Sequence, residues 1–153
     1  MQCGVRSPQA GFSLAEIMVA IAIGGILMAM AIPNFALMRE GYRLRGATYT
    51  VFTVLQKARL AAIKENNQYR FYINNNVYFV HDDLNNSGTE DAGESVTQFN
   101  IQSYAKDVSI SSNATIVFAA DGTAVTTGTL TVSNSRGTKT IAVSPAGRVK
   151  VNS

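Results

Sequence analysis

Hydrophobic and polar positions divide the chain into three stretches. Residues 12–38 are apolar with one formal charge, Glu16, and every position between Ile17 and Ile32 is Ala, Ile, Leu, Met, Val or Gly. A helix of ~20 apolar residues is long enough to cross a bilayer, and a lone carboxylate at the edge of one is costly enough to point to function. From there the pattern becomes amphipathic. Leu44, Ala47, Val51, Leu55, Ala58 and Ala62 fall on one helical stripe, and Arg43, Arg45, Lys57, Arg59 and Lys64 lie off it. One helix is expected from about Phe12 to about Glu65, roughly 80 Å long. Gly24, Gly25 and Pro33 are its weak points for kinking; the two glycines equally suit close packing against other helices.

After Asn66-Asn67 the period changes to two. Tyr69, Phe71 and Ile73 alternate with Arg70, Tyr72 and Asn74, Asn74-Asn75-Asn76 has turn chemistry, and 77–80 reads as the return strand. A polar, acidic loop follows over 81–94. Short strands are expected at 96–102, 108–111, 115–119, 128–133, 138–144 and 147–151, with turns at Asp121-Gly122, 134–137 and Pro145-Ala146-Gly147. The predicted class is α+β. A long N-terminal helix, transmembrane in its first half, packs on a C-terminal antiparallel β domain. The expected divisions are 1–11, a helix over 12–66 and a β-rich domain over 67–153.

Composition sharpens this only a little. The chain has 153 residues, and its formal net charge of +3 decides nothing about partners. Charged residues make up only 15%, because of the apolar run and a Ser/Thr/Asn-rich second half. The single cysteine, Cys3, excludes an intrachain disulfide framework and a Cys-based metal site. It precedes the apolar run, whereas a lipidation site would follow one. Arg6 lies before the run, and Arg39, Arg43 and Arg45 lie after it. The positive-inside rule alone would therefore leave the C-terminal part in the cytoplasm.

Gly11-Phe12-Ser13-Leu14-Ala15-Glu16, followed by the long apolar helix, resembles the signal of type IV prepilins and type II secretion pseudopilins. The resemblance implies cleavage after Gly11 by a prepilin peptidase and N-methylation of Phe12. It makes Glu16 the assembly residue and matches Pro33 to a proline in the family's helix. It also implies that the β domain is exported across the inner membrane, into the periplasm or onto a filament. Cleavage would free an amine on Phe12, which Glu16 of a neighbouring subunit would pair with in a low dielectric. The run Phe118-Ala119-Ala120-Asp121-Gly122-Thr123, with Ile141-Ala142-Val143 and Gly147-Arg148-Val149-Lys150-Val151, resembles the GspH/FimT group of minor pseudopilins and minor pilins. The implied partners are other pilins through the N-terminal helix, the peptidase and the membrane. The implied function is a minor subunit, structural, of a type IV pilus-like filament or a type II secretion pseudopilus; the alternatives are a filament-displayed DNA-binding minor pilin for DNA uptake and a major pilin.

Two further segments suggest ligands. Residues 83–94 have the spacing of an EF-hand calcium loop. Asp83, Asn85, Ser87, Asp91 and Glu94 stand at the oxygen-donor positions, Gly88 at the sharp turn, and Thr89 offers its carbonyl. Calcium is the cofactor this spacing suggests; the alternative is a solvated, mobile acidic loop. The second segment is Gly147-Arg148-Val149-Lys150, which resembles the Gly-Arg-x-Arg motif of DNA-binding FimT-like pilins, with Lys150 in place of the last Arg. Period two sets Arg148 and Lys150 on one face, where Arg136 and Lys139 would join them if the preceding strand pairs alongside. The expected result is salt-dependent phosphate attraction without base reading; the alternative is a charged, solvated edge strand. The wider basic set, Arg39, Arg43, Arg45, Lys57, Arg59, Lys64 and Arg70, suits lipid headgroups, nucleic acid or plain solvent. Nothing suggests an enzyme. His81 is the only histidine, and no nucleophile, phosphate-cradling loop or metal cluster accompanies it.

Overall fold

The computed structural model describes residues 11–152. The expected leader lies outside them, apart from Gly11, and Cys3 and Arg6 go with it. The chain forms two compact units, one ending at Leu37 and the other beginning at Met38. Helix α1, Leu14–Glu65, runs through both and is unbroken at Gly24, Gly25 and Pro33. Among the described residues no helix is long and apolar enough to cross a membrane.

Both ends of α1 are capped by local chemistry. Ser13-Leu14-Ala15-Glu16 is a capping-box sequence, and the Ser13 N–H donates to Glu16 Oε2 at 3.2 Å. At the other end Asn66 adopts φ 55°. The Asn67 N–H then reaches back to the Ala62 carbonyl at 3.1 Å. That is the Schellman arrangement, which satisfies carbonyls the helix leaves open.

In the second unit α1 is followed by nine strands: β1 Gln68–Asn74, β2 Val77–Asp83, β3 Val96–Asn100, β4 Ser109–Ser112, β5 Ile116–Phe118, β6 Ala124–Thr126, β7 Gly128–Asn134, β8 Gly137–Val143 and β9 Val149–Asn152. They form two antiparallel sheets, ordered β3-β2-β1-β5-β6 and β4-β7-β8-β9. Asn75 and Asn76 both have positive φ, 49° and 62°. They make the tight two-residue turn whose twist suits a β1–β2 hairpin. A single 3-10 turn, Ile101–Ser103, follows β3.

The predicted stripe of α1 is the helix's contribution to the core. Leu44, Ala47, Val51, Leu55, Ala58 and Ala62 are all buried, with Phe71, Tyr78, Ile116 and Phe118 from the first sheet and Leu130, Val132 and Ile141 from the second. Period two explains the choice. Tyr69 and Phe71 face the core, while Arg70 and Tyr72 face away from it. Strand β6 was not foreseen, and β2 extends three residues into the expected acidic loop, through His81 to Asp83.

Candidate functional site

The first candidate lies at the start of α1. Phe12, Glu16 and Ile17 line one shallow groove with Ala20 and Ile21. Glu16 folds back toward the helix N-terminus, where the unpaired N–H groups and the helix dipole favour a carboxylate. The capping role gives Glu16 a local use that the sequence reading missed, although Ser-x-x-Glu before an apolar run was its visible signal. Leu14, Met18, Ile21, Ile26, Leu27 and Met30 are all strongly exposed. A Cβ added at Gly24 or Gly25 would meet none of the described residues within 4 Å. This stretch is therefore an apolar surface with a carboxylate at its N-terminal end.

The second candidate is the acidic loop, where the structure gives a different account of the expected donors. Asp83 is a fully buried strand residue. Its Oδ2 pairs with Arg70 Nε and accepts the Gly88 N–H at 3.1 Å; its Oδ1 has no hydrogen-bond partner among the described residues. Burial alone would raise the Asp83 carboxyl, but Arg70 and the Gly88 N–H hold it below its ordinary value. Glu94 accepts from His81 Nε2 at 2.8 Å, with both side chains buried. It also takes the Leu84 and Asp91 N–H groups, at 2.9 and 3.0 Å. Asp91 Oδ2 accepts from Ser87 Oγ at 2.6 Å and from Asn85 Nδ2 at 3.0 Å, and Ser87 Oγ accepts the Thr89 N–H at 3.1 Å. The loop is thus ordered over β1 and β2 by Arg70, His81 and its own backbone. Among the described residues no group of three His, Cys, Asp or Glu side chains could hold a metal ion.

The C-terminal cations are divided by strand register. Ala142 of β8 pairs with Lys150 of β9, and Thr140 pairs with Asn152. Arg148 and Lys150 share the exposed outer face, as expected. Lys139 has the parity of buried Ile141 and Val143, so it belongs to the other face, and Arg136 lies in the β7–β8 turn. The strand does pair alongside, but it does not bring the four cations together. The basic set of α1 and β1 is also partly committed. Arg43 bonds Asp107 at 3.0 Å, Arg59 Nε donates to the Gly122 carbonyl at 2.8 Å, and Arg70 holds Asp83.

Arg59 marks a junction that sequence reasoning did not find. A second donor, Nη2, reaches the Ala146 carbonyl at 3.3 Å. The Asp121-Gly122-Thr123 turn, closed by Thr123 N–H to Asp121 Oδ1 at 2.9 Å, thereby meets the Pro145-Ala146-Gly147 turn. Gly147 has φ 69°, and a Cβ there would lie 1.9 Å from the Gly122 carbonyl oxygen. The glycines and the aspartate of the C-terminal pattern are thus the parts of one close turn-on-turn contact, clamped to α1 by an arginine.

Comparisons with known proteins agree with this architecture. The chain resembles the type IV minor pilin FimU of Pseudomonas aeruginosa with a TM-score of 0.59 and 18% identity, over 74% of this chain and 91% of that one. It resembles the minor pseudopilin EpsH of the type 2 secretion system of Vibrio cholerae with a TM-score of 0.57 and 10% identity, over 72% and 96%. At these identities the likeness establishes the fold. No curated protein matches the chain significantly. Residues 6–32 match the prokaryotic N-terminal methylation motif, and residues 47–147 match the family described as type II transport protein GspH. The chain therefore belongs to the family described as type II transport protein GspH.

Proposed function

We propose that this minor pilin- or pseudopilin-like subunit is made as a precursor, cut after Gly11 by a prepilin peptidase and N-methylated on Phe12. Residues 12–38 hold it in the inner membrane with the β domain outside the cytoplasm, and the same helix then enters a filament. The observation that carries this reading is the exposed apolar surface of α1 with Glu16 at its N-terminal end. The described side chains of that run, 14–30, are at the lower limit of about 17 residues for a span. In the sequence the run continues unbroken to Ile32, with no further charge before Arg39. Once the Phe12 amine is free, Glu16 of an adjacent subunit offers it a partner away from water, which offsets two desolvation costs. Glu16→Ala is expected to insert and be processed normally but to lose at least about tenfold in filament incorporation, read by quantitative blotting of sheared filaments. Normal incorporation of that variant would refute the role.

A further inference from the structure

The hydrogen-bonding edge of β3 is open. It is the outer strand of the first sheet, and no described strand pairs with its far side. Two bonds flanking it fix its phase. The Asp82 N–H donates to the Ser95 carbonyl, and the Ile101 N–H donates to the Asn76 carbonyl. An antiparallel ladder alternates bonded and non-bonded pairs. Thr97 and Phe99, opposite Val80 and Tyr78, therefore spend their backbone groups on β2. Val96, Gln98 and Asn100 direct theirs outward. Ser103 Oγ takes the Asn100 carbonyl at 2.8 Å, which leaves Gln98 at the centre of the free row.

The other three sheet edges are blunted. Strands β4 and β6 have four and three residues, and β9 carries Lys150 with Arg148 just before it. Short or charged edges are the usual protection against strand addition. Strand β3 has neither protection: Val-Thr-Gln-Phe-Asn is uncharged, free of proline and exposed from Thr97 onward. Beside it, on the helix-facing side of the sheet, lies an apolar cleft of about 200 Å³ between Val54, Ala58 and Ala61 of α1 and Tyr69, Val80 and Phe99. Lys57 is also part of its lining.

We propose that β3 is a strand-addition site for an extended segment of an adjacent filament subunit; the inference rests on the filament reading above. The incoming strand bonds the outward groups of Val96 and Gln98, with the Asn100 N–H at the end of the row. Side chains at alternate positions fall over the cleft, so the segment carries an apolar residue there and an acidic one near Lys57. A second copy adding its own β3 antiparallel does not fit the symmetry of a helical filament. Antiparallel pairing of identical edges needs a two-fold axis, which closes a pair and does not propagate along a helical filament. The contact is therefore heterologous, as a helical filament requires.

The test places benzoylphenylalanine at Asn100 of the full chain, in host cells that assemble the filament, and identifies photoadducts by mass spectrometry. The expected product joins Asn100 to an extended segment of a second subunit that itself bears the N-terminal methylation motif. Gln98→Pro removes the central outward N–H while sparing the Thr97 and Phe99 bonds to β2, and should lower the adduct yield at least about tenfold. Gln98→Thr keeps the N–H and should keep the yield. No adduct, adducts only to lipid or to β3 of another copy, or equal yield from Gln98→Pro would overturn the proposal. The mass of the mature N-terminus in the same sample separates the two readings. A processed chain without the adduct defeats only the edge contact, whereas an unprocessed chain defeats both.

Discussion

Two stretches of the same helix carry similar aliphatic side chains and end in opposite surroundings. In residues 44–62 the apolar stripe lies against the chain's own sheets, and Val51 and Leu55 are at 0% exposure. In residues 14–30 the apolar side chains surround the helix, and Ile17 and Met30 remain 48% and 74% exposed. Pattern explains the difference. A stripe with charges on the opposite side can be satisfied by one folded domain, whereas a helix apolar all round needs cover on every side. At about 1.5–3 kcal/mol for each large aliphatic side chain left in water, covering the first half with apolar surface is strongly favourable. One stretch stabilises the monomer, and the other carries the apolar surface on which the proposed assembly rests.

The largest effects should separate the two halves. Leu55→Ala is expected to lower the stability of the β domain by about 2–5 kcal/mol, because a cavity opens in a core without slack. Ile21→Ala, the same kind of truncation in the first half, should leave that stability within about 0.5 kcal/mol. Urea unfolding of both variants in detergent, followed by circular dichroism, makes the measurement. Equal losses would break the comparison.

A slightly smaller effect tests whether the second half is fixed by its clamp as well as by its stripe. Gly147→Ala would set a Cβ 1.9 Å from the Gly122 oxygen at a φ of 69°. The expected loss is about 3 kcal/mol, seen as a lower urea midpoint at an unchanged slope. Gly46→Ala is the control in the same unit, since its Cβ meets nothing within 4 Å. It should stabilise by about 0.5–1 kcal/mol. A harmless Gly147→Ala would mean that the two turns do not press together.

The acidic loop sharpens the same contrast, because it is ordered by the chain itself. Arg70→Gln leaves the buried Asp83 carboxylate without its cation and should cost about 3 kcal/mol at neutral pH. The sign with pH follows from the lowered Asp83 carboxyl. Its contribution is present above the unfolded value of about 3.9 and is lost as pH falls through the lower folded value. The gap between wild type and variant should therefore narrow in acid, where the variant's Asp83 is neutral. Calcium at millimolar concentration should leave the wild-type melting temperature unchanged within about 1 °C. A clear rise would show that Arg70 yields its place to the ion.

Much of this fold was legible because its signals are local and periodic. The α1 stripe, the Asn75-Asn76 turn and the alternation of β1 follow from spacing alone. What escaped the reading depends on contacts distant in sequence. Asp83 looks like a loop carboxylate beside Asp82, and only pairing with β1 shows it buried against Arg70. Arg59 looks like one cation of an exposed helix face, yet its acceptors lie 63 and 87 residues away. Strand β6 is three residues long, too short for its period to register. At the first candidate site the leader motif pointed to Gly11, Phe12 and Glu16 through resemblance, and the capping box adds a physical reason for Glu16 to stand near the helix start.

The division between a self-satisfied half and an assembly half depends on where the mature chain begins. Intact-mass and N-terminal peptide analysis of the chain from its host decides this directly. The account predicts a chain that starts at Phe12 with a methylated amine, so that the free N-terminus lies at the capped, Glu16-bearing end of α1. A mature chain that starts at Met1, or anywhere beyond Phe12, or an unmodified amine on Phe12, would contradict it.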